Sequence, residues 1–461
     1  MDLSVREVTA IVGGILLCGN GEIRLRHVSF DSRNMLGDDL FVPTIGARVD
    51  GHDYIENAFE NGAVATLTAR RGKVTGARPH IFVQDTQKAL EALGKHFRSL
   101  YKGRVIGITG SVGKTTTREM TKAALSAGGS VTGSMKNMNS QIGTPVVLCH
   151  MDQNADRAVM EMGISDPGEM LELVDLVHPQ VALVTNIGVA HLEQLGSREG
   201  ICREKMHICD GLGPEDTVIL NGEEPLLVPY KDQLSCRVLY YGLHPERDVY
   251  AKDIRDEDPV RFTAVFRVPA GGQLEVPVTL SVPGIHNVMN ALAALTVAWA
   301  EGIKPEKAAR ALEGFGGFSR RLERMNLGGL KVIDDSYNAG PPSMKAALQV
   351  LAKAKEGRRI ALLADMLELG EDEALLHRQL GEFARDLKIE LFITLGSLVR
   401  NLEEPLVQAR RPVFHCDTPE QAAERVIRLA RKGDTVLLKG SNSMRLDKVL
   451  EALKASDKFK E

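Results

Sequence analysis

Between Arg104 and Thr117 the chain reads Arg-Val-Ile-Gly-Ile-Thr-Gly-Ser-Val-Gly-Lys-Thr-Thr-Thr. An apolar, β-branched run from Val105 to Thr109 turns through Gly110 and Gly113 into Lys114, Thr115 and a helix-forming segment. Strand, glycine turn and helix start together build a phosphate cradle. The first N–H groups of a helix lack intrahelical acceptors, and the helix dipole favours negative charge beside them. Glycine lets the backbone close around an anion, the lysine adds a point charge, and the following hydroxyl is placed for Mg²⁺. The spacing is a variant. The common motif puts its first glycine where this chain has Ile108, whereas here Gly110 comes closer to Lys114. A plain glycine turn with a helix-start lysine is the alternative, but strand, loop, Lys-Thr pair and helix pattern all agree.

The bulk of the chain narrows the class. Its 461 residues call for about two to four domains. A net charge of −4 leaves no basic footprint for nucleic acid. No apolar run reaches the length of a membrane span. The start, Met-Asp-Leu-Ser-Val-Arg-Glu-Val, lacks a signal-peptide pattern, so a cytoplasmic location is expected. Six cysteines lie scattered with no Cys-x-x-Cys, which argues against a zinc site or a disulfide framework.

Three blocks are readable, with boundaries placed at 1–100, 101–316 and 317–461. The first mixes short strands and helices. The second alternates strand and helix from Val105 on, with strands expected at Ala158–Met162, Val181–Asn186 and Thr217–Leu220. That pattern predicts a parallel sheet with crossover helices. A β-rich insert is expected around 236–282, then a helix from His286 to Glu301. The segment from Phe315 to Arg321 reads as a hinge into a Rossmann-like block, with strands at Leu330–Asp334, Ile360–Ala364, Leu391–Leu395 and Thr435–Lys439. The charged tail from Lys454 to Glu461 is expected to fray. The fold class is therefore α/β in three domains.

Several polar residues fall at strand ends, where parallel sheets place their ligands. Glu161 closes an apolar strand in Val-Met-Glu-Met-Gly (159–163). It reads equally as a solvent-facing carboxylate or as a Mg²⁺ ligand. His191 follows the next strand through Gly188, and taken alone is more often a structural hydrogen bonder. Lys205 shares one helical face with Ile201, Ile208 and Leu212. A lysine there is snorkelling, paired or chemically special. Asn287 and Asn290 stand one helical turn apart. They can cap the helix or read an adenine edge. Arg320 and Arg321 suit phosphate oxygens but also a solvated hinge. Asp334-Asp-Ser-Tyr-Asn-Ala-Gly-Pro-Pro-Ser-Met344 clusters acids and an amide at a strand end, with prolines opening a helix. Lys439-Gly-Ser-Asn-Ser443 is a further strand-to-helix glycine turn.

In their order and over nearly the whole chain, these segments resemble the Mur ligase family of ATP-dependent amide-bond ligases. Three of them resemble the members that add D-alanyl-D-alanine to UDP-N-acetylmuramoyl-tripeptide: Asp334–Met344, Asn137-Met-Asn-Ser-Gln-Ile-Gly-Thr-Pro145 and Asp365-Met-Leu-Glu-Leu-Gly370. Asp31-Ser-Arg33 and Asp50-Gly-His-Asp53 resemble a domain that binds the uridine nucleotide of the substrate. Departures are Gly340 for a common asparagine, Ser140 for another, Arg320 for a usual glycine, and Asn442 for a usual arginine.

The resemblance implies an ADP-forming peptide ligase working through an acyl phosphate. It implies nucleotide contacts at Thr109, Gly110, Ser111, Val112, Gly113, Lys114, Thr115 and Thr116, with Asn287, Asn290, Arg321 and Asp335. Lys114, His191, Lys205, Arg321 and Asp335 would be catalytic. Two Mg²⁺ ions would be held by Thr115, Glu161, His191 and Lys205. A cationic lysine cannot ligate a metal, so Lys205 is expected to be carbamylated. Substrate contacts are expected at Ser32, Arg33, Asp50, Gly51, His52, Asn137, Asn139 and Asn338. The partners are then the UDP-linked tripeptide and the dipeptide, with no nucleic acid, no membrane span, and a monomeric enzyme. Another ligase of the family, adding one amino acid to UDP-N-acetylmuramoyl-dipeptide, is the nearest rival. A P-loop kinase or GTPase leaves the C-terminal block without a task, and a non-catalytic nucleotide switch predicts slow hydrolysis unaffected by any amine acceptor.

Overall fold

The computed structural model describes residues 1–46, 49–71, 77–135, 137–268 and 271–460. Near the N-terminus, strands Ile15–Cys18, His80–Phe82, Ala63–Thr68, Asp39–Phe41 and His27–Ser29 lie side by side in that order. Helix Thr86–Leu100 follows, its first turn capped by the Asp85 carboxylate on the Gln87 and Lys88 amides. It packs on helix Gly143–His150 so closely that a side chain at Gly94 would strike the Pro145 backbone. Val146 and Cys149 of that second helix are part of the N-terminal core.

The middle of the chain forms a nine-stranded sheet. At its heart lies β1 (Arg104–Thr109), followed by the loop and α1 (Lys114–Ser126). On one side of β1 runs β2 (Arg157–Glu161) and on the other β3 (Val181–Val184), both parallel to it. These strands are near-continuous apolar runs because helices cover both faces of a parallel sheet. Val105, Ile106, Ile108 and all of Val181–Val184 are fully buried. Helix α2 (Arg198–Met206) ends sooner than its apolar stripe suggests and passes into a 3₁₀ turn, His207–Cys209.

The β-rich stretch expected as an insert is an extension of the same sheet. Strand Arg237–Gly242 pairs in parallel with strand Val249–Arg255 over two residues only, and strands Val260–Arg267 and Gln273–Leu280 then continue antiparallel. A parallel crossover normally needs a dozen or more residues. The short link Leu243–Asp248 suffices here because the overlap is so brief. Helix α3 (Ile285–Ala300) packs across this sheet and along α1.

The C-terminal block is a six-stranded sheet. Strand Glu323–Leu327 is antiparallel to β4 (Leu330–Asp334), and the remaining strands are parallel, including β5 (Thr435–Lys439) beside β4. The tail does not fray as expected. After helix Leu446–Ala455 a 3₁₀ turn, Asp457–Phe459, brings Phe459 into the core, where it is 4% exposed. One aromatic ring outweighs the charges around it. Phe459→Ala should cost about 3 kcal/mol, read as a shift in the urea midpoint; an unchanged midpoint would restore the frayed picture. Glu461 lies outside the described residues.

Candidate active site

The sheet order brings the polar strand ends together. Gly110 (φ 143°) and Gly113 (φ 83°) take left-handed backbone that a side chain resists, and a Cβ on Gly110 would meet the Thr185 hydroxyl at 2.0 Å. The Ser111 amide donates to the Asn186 carbonyl (3.0 Å) and the Val112 amide to Asn186 Oδ1 (2.9 Å). Asn186 Nδ2 and Thr185 Oγ1 both donate to the Val112 carbonyl. Among the described residues no acceptor meets the amides of Gly113, Lys114, Thr115 and Thr116. These are the orphan donors of the helix start. The cradle is thus narrower than the motif implies: Ser111 and Val112 shape it, and residues 113–116 offer its N–H groups. Thr109 is fully buried and its carbonyl accepts the Thr185 amide, while among the described residues its Oγ1 meets no hydrogen-bond partner.

Beside the loop, Thr115 Oγ1 donates to the Glu161 carboxylate at 3.0 Å. Glu161 also accepts from Arg118 Nη1 (2.9 Å) and Asn139 Nδ2 (2.8 Å). Asn139, expected to touch substrate, is thus a Glu161 partner here, while Asn137 is exposed. Lys114 Nζ donates to the Gly110 carbonyl at 2.7 Å. Burial lowers its pKa, Glu161 opposes this, and Arg321 adds to it.

Arg321 comes from the chain beyond the hinge, yet its Nη2 donates to Thr115 Oγ1 at 3.0 Å. Its guanidinium lies 4.2 Å over the Tyr337 ring. Two further ion pairs, Lys353 with Asp256 and Arg324 with Asp258, join the C-terminal block to the central sheet. Asp335 stays within its own block. One oxygen accepts the Leu322 amide (3.2 Å) and the other pairs with Lys439 (2.6 Å). Asn338 is exposed, and its side chain accepts the next amide, that of Ala339.

His191 (φ 62°) is half-buried, 3.7 Å from Glu368 of the C-terminal block. Desolvation, then the charge of Lys205, hold its pKa below the usual imidazole value. The ring is therefore neutral at neutral pH, the form that ligates metals. Lys205 is 1% exposed. Burial first, and Lys114 second, push its pKa well down. Among the described residues no hydrogen bond or ion pair reaches its ammonium, and no group of three His, Cys, Asp or Glu side chains is arranged for a metal. Neighbouring Glu204 instead accepts the Gly168 and Met170 amides.

Asn287 and Asn290 share a face of α3 but bond to each other (3.0 Å). Asn287 Nδ2 donates to the Pro283 carbonyl, and Asn290 Oδ1 accepts from Thr117 and lies against Gly113. The pair therefore ties α3 to the start of α1. In the N-terminal block, Asp50, Gly51 and His52, expected to touch substrate, are tied into the fold. His52 is buried, with Nδ1 on Asp50 (2.7 Å) and Nε2 accepting the Ala69 amide (3.0 Å). The His52 amide first, then the His52 ring and Arg70 bonds, hold the Asp50 carboxyl down at about 2 against desolvation, which pushes it up. A side chain at Gly51 would meet Thr44. Ser32 is buried, whereas Arg33 is exposed and, among the described residues, bonded only to Asp31.

The chain matches three family models: "Mur ligase family, catalytic domain" over 24–98, "Mur ligase middle domain" over 108–298, and "Mur ligase, glutamate ligase domain" over 320–442. A curated relative, the UDP-N-acetylmuramoyl-tripeptide–D-alanyl-D-alanine ligase of Bacillus subtilis (strain 168), is 36% identical over 458 residues, covering 98% of each chain. The chain belongs to the Mur ligase family. A MurF crystal structure from Acinetobacter baumannii superposes with a TM-score of 0.86 at 27% identity over 99% of both chains. MurF ligase from Thermotoga maritima in complex with ADP gives 0.76 at 28% identity, covering 93% and 97%.

In this Mur ligase, the residue that sequence reasoning missed is Asn186. It satisfies both sides of the Val112 peptide and one side of Ser111. An amide placed directly after an apolar strand, ahead of a glycine, was the available signal. Asn186→Ala takes the partner from the Val112 amide, while Thr185 Oγ1 still holds the Val112 carbonyl, and should raise KM for ATP by about tenfold. Steady-state kinetics at fixed acceptor check this, and an unchanged KM would refute it.

Proposed function

We propose that the chain joins D-alanyl-D-alanine to UDP-N-acetylmuramoyl-tripeptide, converting ATP to ADP and phosphate. A carboxylate is a poor electrophile. Its oxygen attacks the γ-phosphorus, ADP leaves, and the resulting acyl phosphate carries a good leaving group. The dipeptide amine then attacks the acyl carbon, loses a proton and expels phosphate. The observation that carries this reading is the Arg321–Thr115 contact. It sets a cation from the third block onto the nucleotide loop of the second. Similarity over almost the entire length to D-alanyl-D-alanine ligases supports the choice of acceptor.

In this reading the amides of 113–116 and Lys114 hold the β- and γ-phosphates, and Arg321 screens the charge between the reacting anions. Asn287 and Asn290 flank the adenine side. Thr115 and Glu161 are hard oxygen donors in contact with one another, so they fit a first Mg²⁺. His191 and a carbamylated Lys205 fit a second: the neutral imidazole ligates, and the carbamate turns a cation into an oxygen donor. Magnesium, when bound, neutralises phosphate charge and polarises the bond that breaks. Residues 1–100 serve the uridine nucleotide, with Ser32 and Arg33 nearest it. Residues 101–316 serve ATP. Residues 317–461, with Asn338, serve the dipeptide. Asn137 lies toward the tripeptide. The enzyme works as a cytoplasmic monomer, and no described helix is long and apolar enough to cross a membrane.

The test is phosphate release from Mg·ATP with the UDP-linked tripeptide, with and without D-alanyl-D-alanine, followed by product mass. Release that requires the dipeptide, with a product heavier by one condensed dipeptide, establishes the reading. Release driven by free amino acids alone moves the enzyme to another branch of the family. Release indifferent to any acceptor removes the ligase assignment.

A further inference from the structure

Arg321 is presented by an unusual turn. The residues on either side of it, Arg320 (φ 61°) and Leu322 (φ 52°), both adopt left-handed backbone, and Gly317 (φ 97°) enters the same turn. Side-chain-bearing residues resist that region, a leucine especially. Such conformations persist only where the surroundings over-determine them.

The surroundings are the loop Asp334–Asn338. The Arg320 guanidinium donates to Ser336 Oγ (3.1 Å) and to the Ser336 carbonyl (2.7 Å), while the Arg320 carbonyl accepts the Tyr337 amide. On the other side of Arg321, the Leu322 amide donates to Asp335 Oδ1. Behind that carboxylate sits Lys439, 1% exposed at the end of β5. Its ammonium pairs with Asp335 Oδ2 (2.6 Å) and donates to the carbonyls of Asp335 (3.3 Å) and Asn338 (3.1 Å). Three acceptors of one loop thus converge on one buried cation. Among the described residues its ammonium bonds only that loop and not the nucleotide loop.

We infer that Lys439 and Arg320 form a two-armed clamp that positions Arg321 on Thr115, Lys439 acting through Asp335 and Arg320 through Ser336. Neither is a catalytic residue; both set where the catalytic arginine stands. The inference rests on the reading of Arg321 as an ATP-site residue. It also accounts for the left-handed backbone at Arg320: the arginine side chain supplies the hold that its backbone requires.

The test uses the full-length enzyme and dipeptide-dependent phosphate release. Lys439→Met should lower kcat about a hundredfold, and Lys439→Arg, which keeps the charge, should recover part of it. In an Arg321→Ala background the Lys439→Met change should cost almost nothing more, because the group it positions is gone. A merely structural lysine would cost the same factor in both backgrounds, and that result would overturn the proposal. If Lys439→Met does not fold, the other arm decides. Arg320→Gly tolerates the left-handed backbone and should keep activity within about threefold, whereas Arg320→Ala keeps the strain without the clamp and should lose about tenfold. Equal behaviour of Gly and Ala sinks the clamp. Wild-type enzyme that shows no dipeptide-dependent release fails the proposed function instead, so the two failures are distinguishable.

Discussion

Lys205→Ala should lower dipeptide-dependent phosphate release by about a thousandfold, and added formate or acetate should restore part of it. The argument starts from the side chain's position. Lys205 is buried on α2, and among the described residues no carboxylate pairs with it, because Glu204 bonds the Gly168 and Met170 amides. Burial and the Lys114 charge both favour the uncharged amine. The uncharged amine is the form that adds CO₂; nitrogen attacks carbon and one proton leaves. The product is an anion, so the neighbouring Lys114 charge, unfavourable to an ammonium, becomes favourable to the carbamate. Lys205→Arg keeps a cation but forms no stable carbamate, and should be as impaired as the alanine variant. An arginine variant at the wild-type rate, or a wild-type enzyme indifferent to removal of bicarbonate, would defeat the argument.

What the sequence disclosed, and what it withheld, follows from distance along the chain. The phosphate loop was legible because strand, glycines, lysine and helix start are contiguous, and the structure places all of them within residues 104–126. Strand ends carrying Glu161 and His191 were legible because parallel sheets put their ligands there. The Arg321–Thr115 contact was not, since it joins residues 206 positions apart across a hinge. The motif at Asp50 and His52 names residues without saying which way they face. The Asp-x-His spacing was in fact a capping turn, with the Asp50 carboxylate on the His52 amide. The β-rich stretch read as an insert because alternation reports faces, not neighbours; a two-residue parallel overlap leaves no trace in composition. Phe459 was hidden among lysines, where charge count outvoted a single ring.

Arg118→Met should destabilise the protein by about 3–5 kcal/mol, and by clearly less when Mg·ADP is present. Arg118 is fully buried on α1, paired with Glu161 (2.9 Å) and Glu119 (2.7 Å). Glu161 is itself 2% exposed. Among the described residues, removing the guanidinium leaves that carboxylate with the neutral donors Thr115 and Asn139 as its direct partners and with Arg321 and Lys114 nearby. A buried charge deprived of its counter-ion costs several kcal/mol, more than the pair itself contributed. Magnesium held by Thr115 and Glu161 would replace the lost cation, so nucleotide and metal should recover part of the deficit beyond ordinary binding linkage. Urea midpoints with and without Mg·ADP measure both terms. The double variant Arg118→Met with Glu161→Met removes both charges and should be more stable than Arg118→Met alone, although inactive. A single variant that loses less than about 1 kcal/mol, or a double variant no better than the single, would mean that Glu161 does not depend on Arg118 for its charge. The carboxylate would then be balanced chiefly by Arg321, and stability itself would report whether the third block is seated on the nucleotide loop.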